Sequence, residues 1–226
     1  MSDSEDETEE KQLKVVFVGE SNVGKTAIIK RYCYDEFSRQ YVSTSGVDFF
    51  LKRILLPGSN YVSIKIFDVG GDALAGNMLD KYIFNSDIII LVYDITNLNS
   101  FELLVDWLDS IKSIIHDQAV TIGIFGNKCD CEHQRAIRLD KTQQFCRDNN
   151  LKQYTVSSRT GESVAVSIVS LVANHLGIKL SKAEQEHQTT MVKAEIEPRY
   201  TIPVANGAAA NRSKAVEKKS SICVLQ

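Results

Sequence analysis

No apolar run in this chain approaches the roughly 20 residues that a helix needs to cross a bilayer; the longest, Ile88 to Tyr93, has the length of a strand. Positive charge is not in excess, since the formal net charge is −3, so nothing points to a nucleic-acid partner. No internal repeat is visible. The first residues hold no apolar core of a signal or transit peptide. Instead Met1 to Glu10 carries Asp3, Glu5, Asp6, Glu7, Glu9 and Glu10 with no apolar residue after Met1, and such a segment cannot bury enough surface to order itself. Residues 1–11 read as a solvated acidic arm, or as a contact for a basic partner. The five cysteines, Cys33, Cys129, Cys131, Cys146 and Cys223, are odd in number, which with no secretory signal indicates reduced thiols in a cytosolic compartment. Cys129 and Cys131 resemble half of a metal site, but no second half follows at a suitable spacing. His116, His133, His175 and His187 are scattered and form no constellation.

What the chain does have is an ordinary globular composition. It is 43% hydrophobic and 24% charged over 226 residues, enough to bury one sizeable core. Apolar runs alternate with amphipathic stretches, which predicts an α/β fold. Strands are expected near 13–19, 47–56, 61–68, 88–94, 120–126 and 153–157. About five helices are expected, near 25–34, 74–84, 99–115, 139–150 and 162–176. The third carries Phe101, Leu104, Trp107, Leu108, Ile111 and Ile115 at helical spacing, and the last carries Val164, Ile168, Leu171, Val172 and Leu176. Pro57-Gly58-Ser59-Asn60 between two strand patterns marks a hairpin. The result is a six-stranded, mostly parallel sheet with one antiparallel edge strand. A ligand belongs at the carboxyl ends of its parallel strands.

Residues 19 to 26 read Gly19-Glu20-Ser21-Asn22-Val23-Gly24-Lys25-Thr26, the pattern G-x-x-x-x-G-K-[ST], directly after the strand-like run Val15 to Val18. Gly19 and Gly24 let the chain turn so that backbone N–H groups point at a polyphosphate. Lys25 places a point charge on the β- and γ-phosphates, and Thr26 offers a hydroxyl to Mg²⁺. The helix that follows, with Ala27 in its first turn, directs the positive end of its dipole at the same anion.

The base is named further along. Asn127-Lys128-Cys129-Asp130 follows the apolar run Val120 to Phe125 and has the form N-K-x-D. The Asp130 carboxylate accepts from both the ring N–H and the exocyclic amine of guanine. Adenine presents an acceptor there, which leaves a desolvated charge unmatched at a cost of roughly 3 kcal/mol or more. A third piece, Ser157-Ser158-Arg159, follows Gln153 to Val156 and places the Ser158 N–H to meet the guanine carbonyl, although this triplet taken alone would read as a solvent loop.

In the order and spacing of these motifs, the chain from about Leu13 to Gly177 resembles the Ras superfamily of small GTPases. Tyr41 to Phe49, Leu91-Val92-Tyr93-Asp94-Ile95-Thr96 and Asn99-Ser100-Phe101 are similar to Rab proteins. Gly70-Gly71, Met78 to Ile83 and the C-terminal Cys-a-a-X look like the divergent Rab branch numbered twenty-eight. The resemblance implies a P-loop GTPase domain over residues 12–178 that binds GTP, GDP and Mg²⁺. By the same resemblance, Thr44 closes over the nucleotide and completes the Mg²⁺ shell, Gly71 offers its N–H to a γ-oxygen, and Asp68 holds Mg²⁺ through a water. Gly71, Lys25 and the residue after Gly71 are then the groups set to act on the γ-phosphate. Exchange factors, activating proteins and effectors are implied as partners, the effectors reading residues 37–50 and 67–82, which relax on hydrolysis. Phe49, Phe67 and Tyr82 match the aromatic cluster that Rab effectors read, with Phe67 where a Trp is usual. Tyr32 aligns with an aromatic that packs on guanine, or it belongs to the core.

Departures from the family pattern carry information of their own. Asp72 stands where the family places a glutamine that orients the attacking water. An amide both accepts from water and donates to phosphate, whereas a carboxylate only accepts and brings negative charge toward a negative phosphate, so intrinsic hydrolysis should be very slow. No arginine acts in cis, because Val42 stands two residues before Thr44, and Arg39 reads as a solvated switch residue. Rab activating proteins supply an arginine and a glutamine in trans, so stimulated turnover is compatible with this chain. Asn22 and Ser45 are further departures.

The last four residues, Cys223-Val224-Leu225-Gln226, form a C-a-a-X box whose Gln predicts farnesylation of Cys223. Residues 179–226 are polar with no sustained apolar period, a tether with a random-coil span of roughly 35–40 Å. A single lipid gives marginal, reversible anchoring, and Lys218 with Lys219 adds only about 2 kcal/mol on an anionic leaflet. These features predict exchange between the cytosol and the cytoplasmic membrane leaflet, aided by a prenyl-binding solubilising chaperone. The function read from the sequence is a lipid-anchored GTP/GDP switch with weak GTPase activity in vesicle trafficking. The alternative is a GTP-locked scaffold, motivated by Asp72. A P-loop kinase is opposed by Asn127 to Asp130 and by the lack of an acceptor domain.

Overall fold

The computed structural model describes residues 10–184, apart from 59, 117 and 182. Six strands form one sheet in the order β2-β3-β1-β4-β5-β6. They are β1 (Lys11–Val18), β2 (Val47–Leu56), β3 (Asn60–Val69), β4 (Ile88–Asp94), β5 (Thr121–Asn127) and β6 (Lys152–Thr155). All neighbours run parallel except β2 and β3, which pair antiparallel from Val47↔Val69 to Leu56↔Asn60. The hairpin expected at Pro57-Gly58 makes that reversal, with Gly58 at φ 84°, a backbone angle that a side chain would strain. Strand β1 begins at Lys11, two residues before its first apolar side chain, because Lys11 and Gln12 continue the pairing with Val62 and Ser63. All seven residues of β4 are buried, the signature of a strand covered on both faces.

Among the described residues the sheet is flanked by six α-helices: α1 (Lys25–Tyr34), α2 (Leu79–Ile83), α3 (Leu98–Glu102), α4 (Leu104–Ile115), α5 (Leu139–Asp148) and α6 (Val164–His175). Two of the expected helical stretches differ in detail. The stretch 99–115 is two helices that meet at Leu103, whose N–H donates to the Asn99 carbonyl of α3 while its own carbonyl accepts from Trp107 N–H of α4. The helix expected over 74–84 is a 3-10 turn (Ala73–Ala75) followed by the short α2, since Gly76 between them is extended at ψ 166°.

The alternation of side chains along β1 sorts the core into two layers. Leu13, Val15 and Phe17 face Ile28 and Ile29 of α1 and Ile168, Leu171 and Val172 of α6. Val16 and Val18 face the opposite layer, with Leu104, Trp107, Leu108 and Ile111 of α4 and Leu79 and Ile83 of α2. Trp107 is fully buried there. The two layers fix the sheet between helices, and the loops after β1, β3, β5 and β6 emerge along one edge.

Candidate functional site

The turn after β1 is built by its glycines. Gly19 has φ 137° and comes so close to β4 that a Cβ on it would stand 2.2 Å from the Val92 carbonyl oxygen. Gly24, at φ 93°, leaves no room for a Cβ, which would stand 2.3 Å from Asn127 Nδ2. Asn22 also takes a left-handed conformation, at φ 62°, which Asn tolerates better than most residues. Lys25 folds back over the turn and donates to the carbonyls of Gly19 (2.7 Å) and Glu20 (3.0 Å). Burial lowers its pKa to about 8, against the opposing pull of Asp68, Glu20 and Asp72.

Three side chains from three segments meet beside Lys25. Thr26 Oγ1 donates to Asp68 Oδ2 at 2.5 Å, Thr44 Oγ1 reaches the same oxygen at 3.4 Å, and the two hydroxyls lie 3.1 Å apart. Asp68 Oδ1 is buried with no hydrogen-bond partner. Burial holds the Asp68 carboxyl above its ordinary pKa, countered by the Thr26 hydrogen bond and by Lys25. Two hydroxyls and a buried carboxylate with an orphaned oxygen fit a hard divalent cation. Thr26, Thr44 and Asp68 would hold Mg²⁺ there, and the ion would neutralise charge on the phosphates. Among the described residues no cluster of three or more His, Cys, Asp or Glu is placed to hold a metal.

The base end is held by side chains that hold one another. Asn127 is fully buried and donates to the Val23 carbonyl (2.9 Å) and to Ser158 Oγ (3.2 Å). The Ser158 N–H, expected to face guanine, donates to Asn127 Oδ1 at 3.0 Å. Asp130 Oδ1 accepts from Ser157 Oγ at 2.6 Å, and Arg159 approaches Oδ2 at 3.6 Å. Burial raises the Asp130 pKa, but the Ser157 hydroxyl and the other donors outweigh it and keep the carboxyl below its ordinary value. The carboxylate therefore stays ionised and aimed. Lys128 pairs with Asp94 at 2.5 Å and donates to the Asn22 carbonyl at 3.1 Å, tying the base motif to the phosphate turn.

These groups surround a cavity of about 370 Å³. Of the residues named from the sequence, Ser21, Asn22, Gly24, Lys25, Thr26, Ala27, Thr44, Gly71, Lys128, Asp130, Ser158 and Arg159 line it. Gly19, Glu20, Val23, Asn127, Ser157 and Asp68 stand behind that wall and brace it. Asp72 is exposed, lies outside the lining and precedes the 3-10 turn with its carbonyl accepting from Ala75 N–H. Phe37 to Val42 close one side of the cavity, with the exposed Arg39 among them. Sequence reasoning missed Phe37. The aromatic it weighed for the base, Tyr32, is only 7% exposed and packs in the α1/α6 core layer. The signal available for Phe37 was weak: one aromatic two residues past the left-handed Asp35 that ends α1.

Outside the cavity, Phe49 and Phe67 meet edge to face at 4.7 Å, with Phe49 64% exposed. Tyr82 is half-buried, with its hydroxyl 3.4 Å from where a Gly46 Cβ would stand.

Residues 14–176 match the family described as the Ras family. The chain belongs to the Ras family. It is also 34% identical over 226 residues to the Ras-related protein Rab-28 of Caenorhabditis elegans, a match that covers 99% of this chain and 90% of that protein. It is a Rab-type small GTPase, and as such a GTPase switch of the kind that works with exchange factors, activating proteins and effectors. The braced turn, the Asp130–Ser157 pair and the Thr26–Thr44–Asp68 group fit the GTP, GDP and Mg²⁺ that Ras-family GTPases bind. Among the described residues no helix is long and apolar enough to cross a membrane.

Proposed function

We propose that this Rab-type GTPase is a slowly hydrolysing GTP/GDP switch, anchored by a farnesyl group on Cys223 to the cytoplasmic leaflet, which recruits effectors in vesicle trafficking. The observation that carries the switch is the meeting of Thr44 with Thr26 and Asp68, together with Gly70 N–H donating to the Gly46 carbonyl at 2.8 Å. Residues 37–46 and the start of 70–80 are thus joined to the cation site and to each other. A γ-phosphate at that junction favours the joined arrangement, and its loss frees both segments. Effectors read Phe49 and Phe67 between them. A prenyl-binding chaperone would carry the protein between membranes, and exchange and activating proteins would set the nucleotide state. Cys223 and the tether beyond residue 184 lie outside the described residues.

The competing reading is a GTP-locked scaffold, favoured by Asp72 alone. Single-turnover GTP hydrolysis, measured with and without a Rab activating protein, separates the two. A measurable stimulated rate supports the switch; no turnover under either condition leaves the scaffold.

A further inference from the structure

Arg31, on the last turn of α1, has a side chain only 17% exposed, and its guanidinium joins two segments far apart in sequence. Its Nε donates to the Ser158 carbonyl at 3.0 Å and one Nη to the Arg159 carbonyl at 2.8 Å. The other Nη donates to both the carbonyl and the carboxylate of Asp35, each at 2.9 Å. Asp35 is the left-handed residue, φ 56°, from which the chain leaves α1 toward Phe37 and the cavity wall. Gly161 leaves room for this side chain, since a Cβ there would stand 3.4 Å from Arg31 Cδ. The loop 157–162 that carries Ser157, Ser158 and Arg159 lies beyond the last residue of β6, so no sheet ladder fixes its carbonyls at 158 and 159. Only a planar fork with donors on three nitrogens spans all these acceptors; an ammonium is a point charge and does not.

We propose that Arg31 is a positioning residue for guanine nucleotide binding: it holds the base loop at Ser158–Arg159 and the start of the wall at Asp35 on one guanidinium, so that nucleotide release requires both to loosen together. The proposal rests on the guanine-nucleotide reading of the cavity. Arg31 touches no nucleotide itself; it acts through the backbone of the residues that do. Loosening at either end therefore weakens the hold at the other, and a nucleotide gains an exit without any change in its own contacts.

The test compares wild type with Arg31→Gln and Arg31→Lys, measuring release of a fluorescent GDP and the ratio of GDP to IDP affinity. Arg31→Gln should release GDP about tenfold faster or more with association little changed, and should narrow the GDP/IDP ratio as Asp130 and the loop lose register. Arg31→Lys should fall between the two, because one donor group restores one contact. Melting of the nucleotide-free protein separates a general packing role, which would lower its melting temperature and leave the GDP/IDP ratio untouched. That pattern, or wild-type release rates in a folded Arg31→Gln protein, overturns the proposal. Should Arg31→Gln not fold, wild-type release and selectivity in Arg31→Lys overturn it equally. Failure of the wild type to bind GDP would instead remove the nucleotide reading on which it rests.

Discussion

Gly71 presses on Ser21: a Cβ built on the glycine would stand 2.3 Å from the Ser21 backbone nitrogen and 2.4 Å from its hydroxyl. The segment after β3 thus meets the phosphate turn backbone to backbone, at a place where no side chain can be accommodated by a rotamer change. Gly70 is as confined, since its Cβ would stand 2.6 Å from the Thr44 carbonyl oxygen. The adjacent glycines of this chain therefore answer two separate close approaches, one toward each neighbouring segment.

Gly71→Ala should push residues 71–75 away from the phosphate turn while sparing the base contacts and the bed of the turn. The expected outcome is an unchanged affinity for GDP and a fall in GTP affinity of about tenfold, equivalent to roughly 1.4 kcal/mol. Paired titrations of the two nucleotides check it. Equal losses for both would mean that the contact shapes the turn itself and is indifferent to the γ-phosphate.

Asp130→Asn should exchange guanine for xanthine preference. The amide oxygen can still accept from Ser157 Oγ, now at 2.6 Å from Asp130, so the loop is retained while the amide nitrogen faces the base. A hydrogen bond to a charged group contributes about 1.5–3 kcal/mol, so GTP affinity should fall by roughly ten- to a hundredfold. Competition between GTP and XTP for the variant measures the exchange, and undiminished GTP affinity would remove Asp130 from the base site.

The sequence made the strand positions, the antiparallel edge and the phosphate turn legible because each rests on local chemistry: an apolar run, a Pro-Gly turn, a glycine pattern of fixed spacing. Asp130 and Ser157, 27 residues apart, were both readable as base contacts, but not as partners of one another. The same limit applies to Arg31 and to the Lys128–Asp94 pair, whose function lies in what they brace. Tyr32 and Phe37 show the difficulty from the other side. Both are aromatics near the end of α1, and only the direction in which the helix turns them decides which enters the core. The split at Leu103 was invisible for a related reason, since the apolar period continues across it and Leu103 itself keeps helical dihedrals.

Cys223→Ser removes the only thiol of the C-a-a-X box. A single farnesyl chain gives marginal, reversible binding, and two nearby lysines do not replace it. The full-length variant, made in cells that farnesylate, should remain in the supernatant when floated with anionic vesicles, while the wild type partitions between the two fractions. Flotation of the variant at the wild-type level would reveal a second anchor.

Asp72→Gln should raise intrinsic GTP hydrolysis by about tenfold or more with little change in GTP affinity. Residue 72 is exposed and outside the cavity lining, so it contributes little to ground-state binding. Its negative charge nevertheless acts on Lys25, which places the carboxylate within electrostatic reach of the phosphate turn. There it opposes charge that builds on the γ-phosphate, and having only acceptors it cannot donate to that phosphate while holding a water. Glutamine removes the repulsion and supplies the donor. Tenfold needs only about 1.4 kcal/mol of stabilisation felt in the transition state alone, within the range of one restored hydrogen bond. Single-turnover rates and nucleotide affinities of the two proteins decide it. Identical slow rates would show that the segment after Gly71 does not swing over the phosphate even with glutamine, and the cause would then lie in how Gly70 and Gly71 are wedged against Thr44 and Ser21.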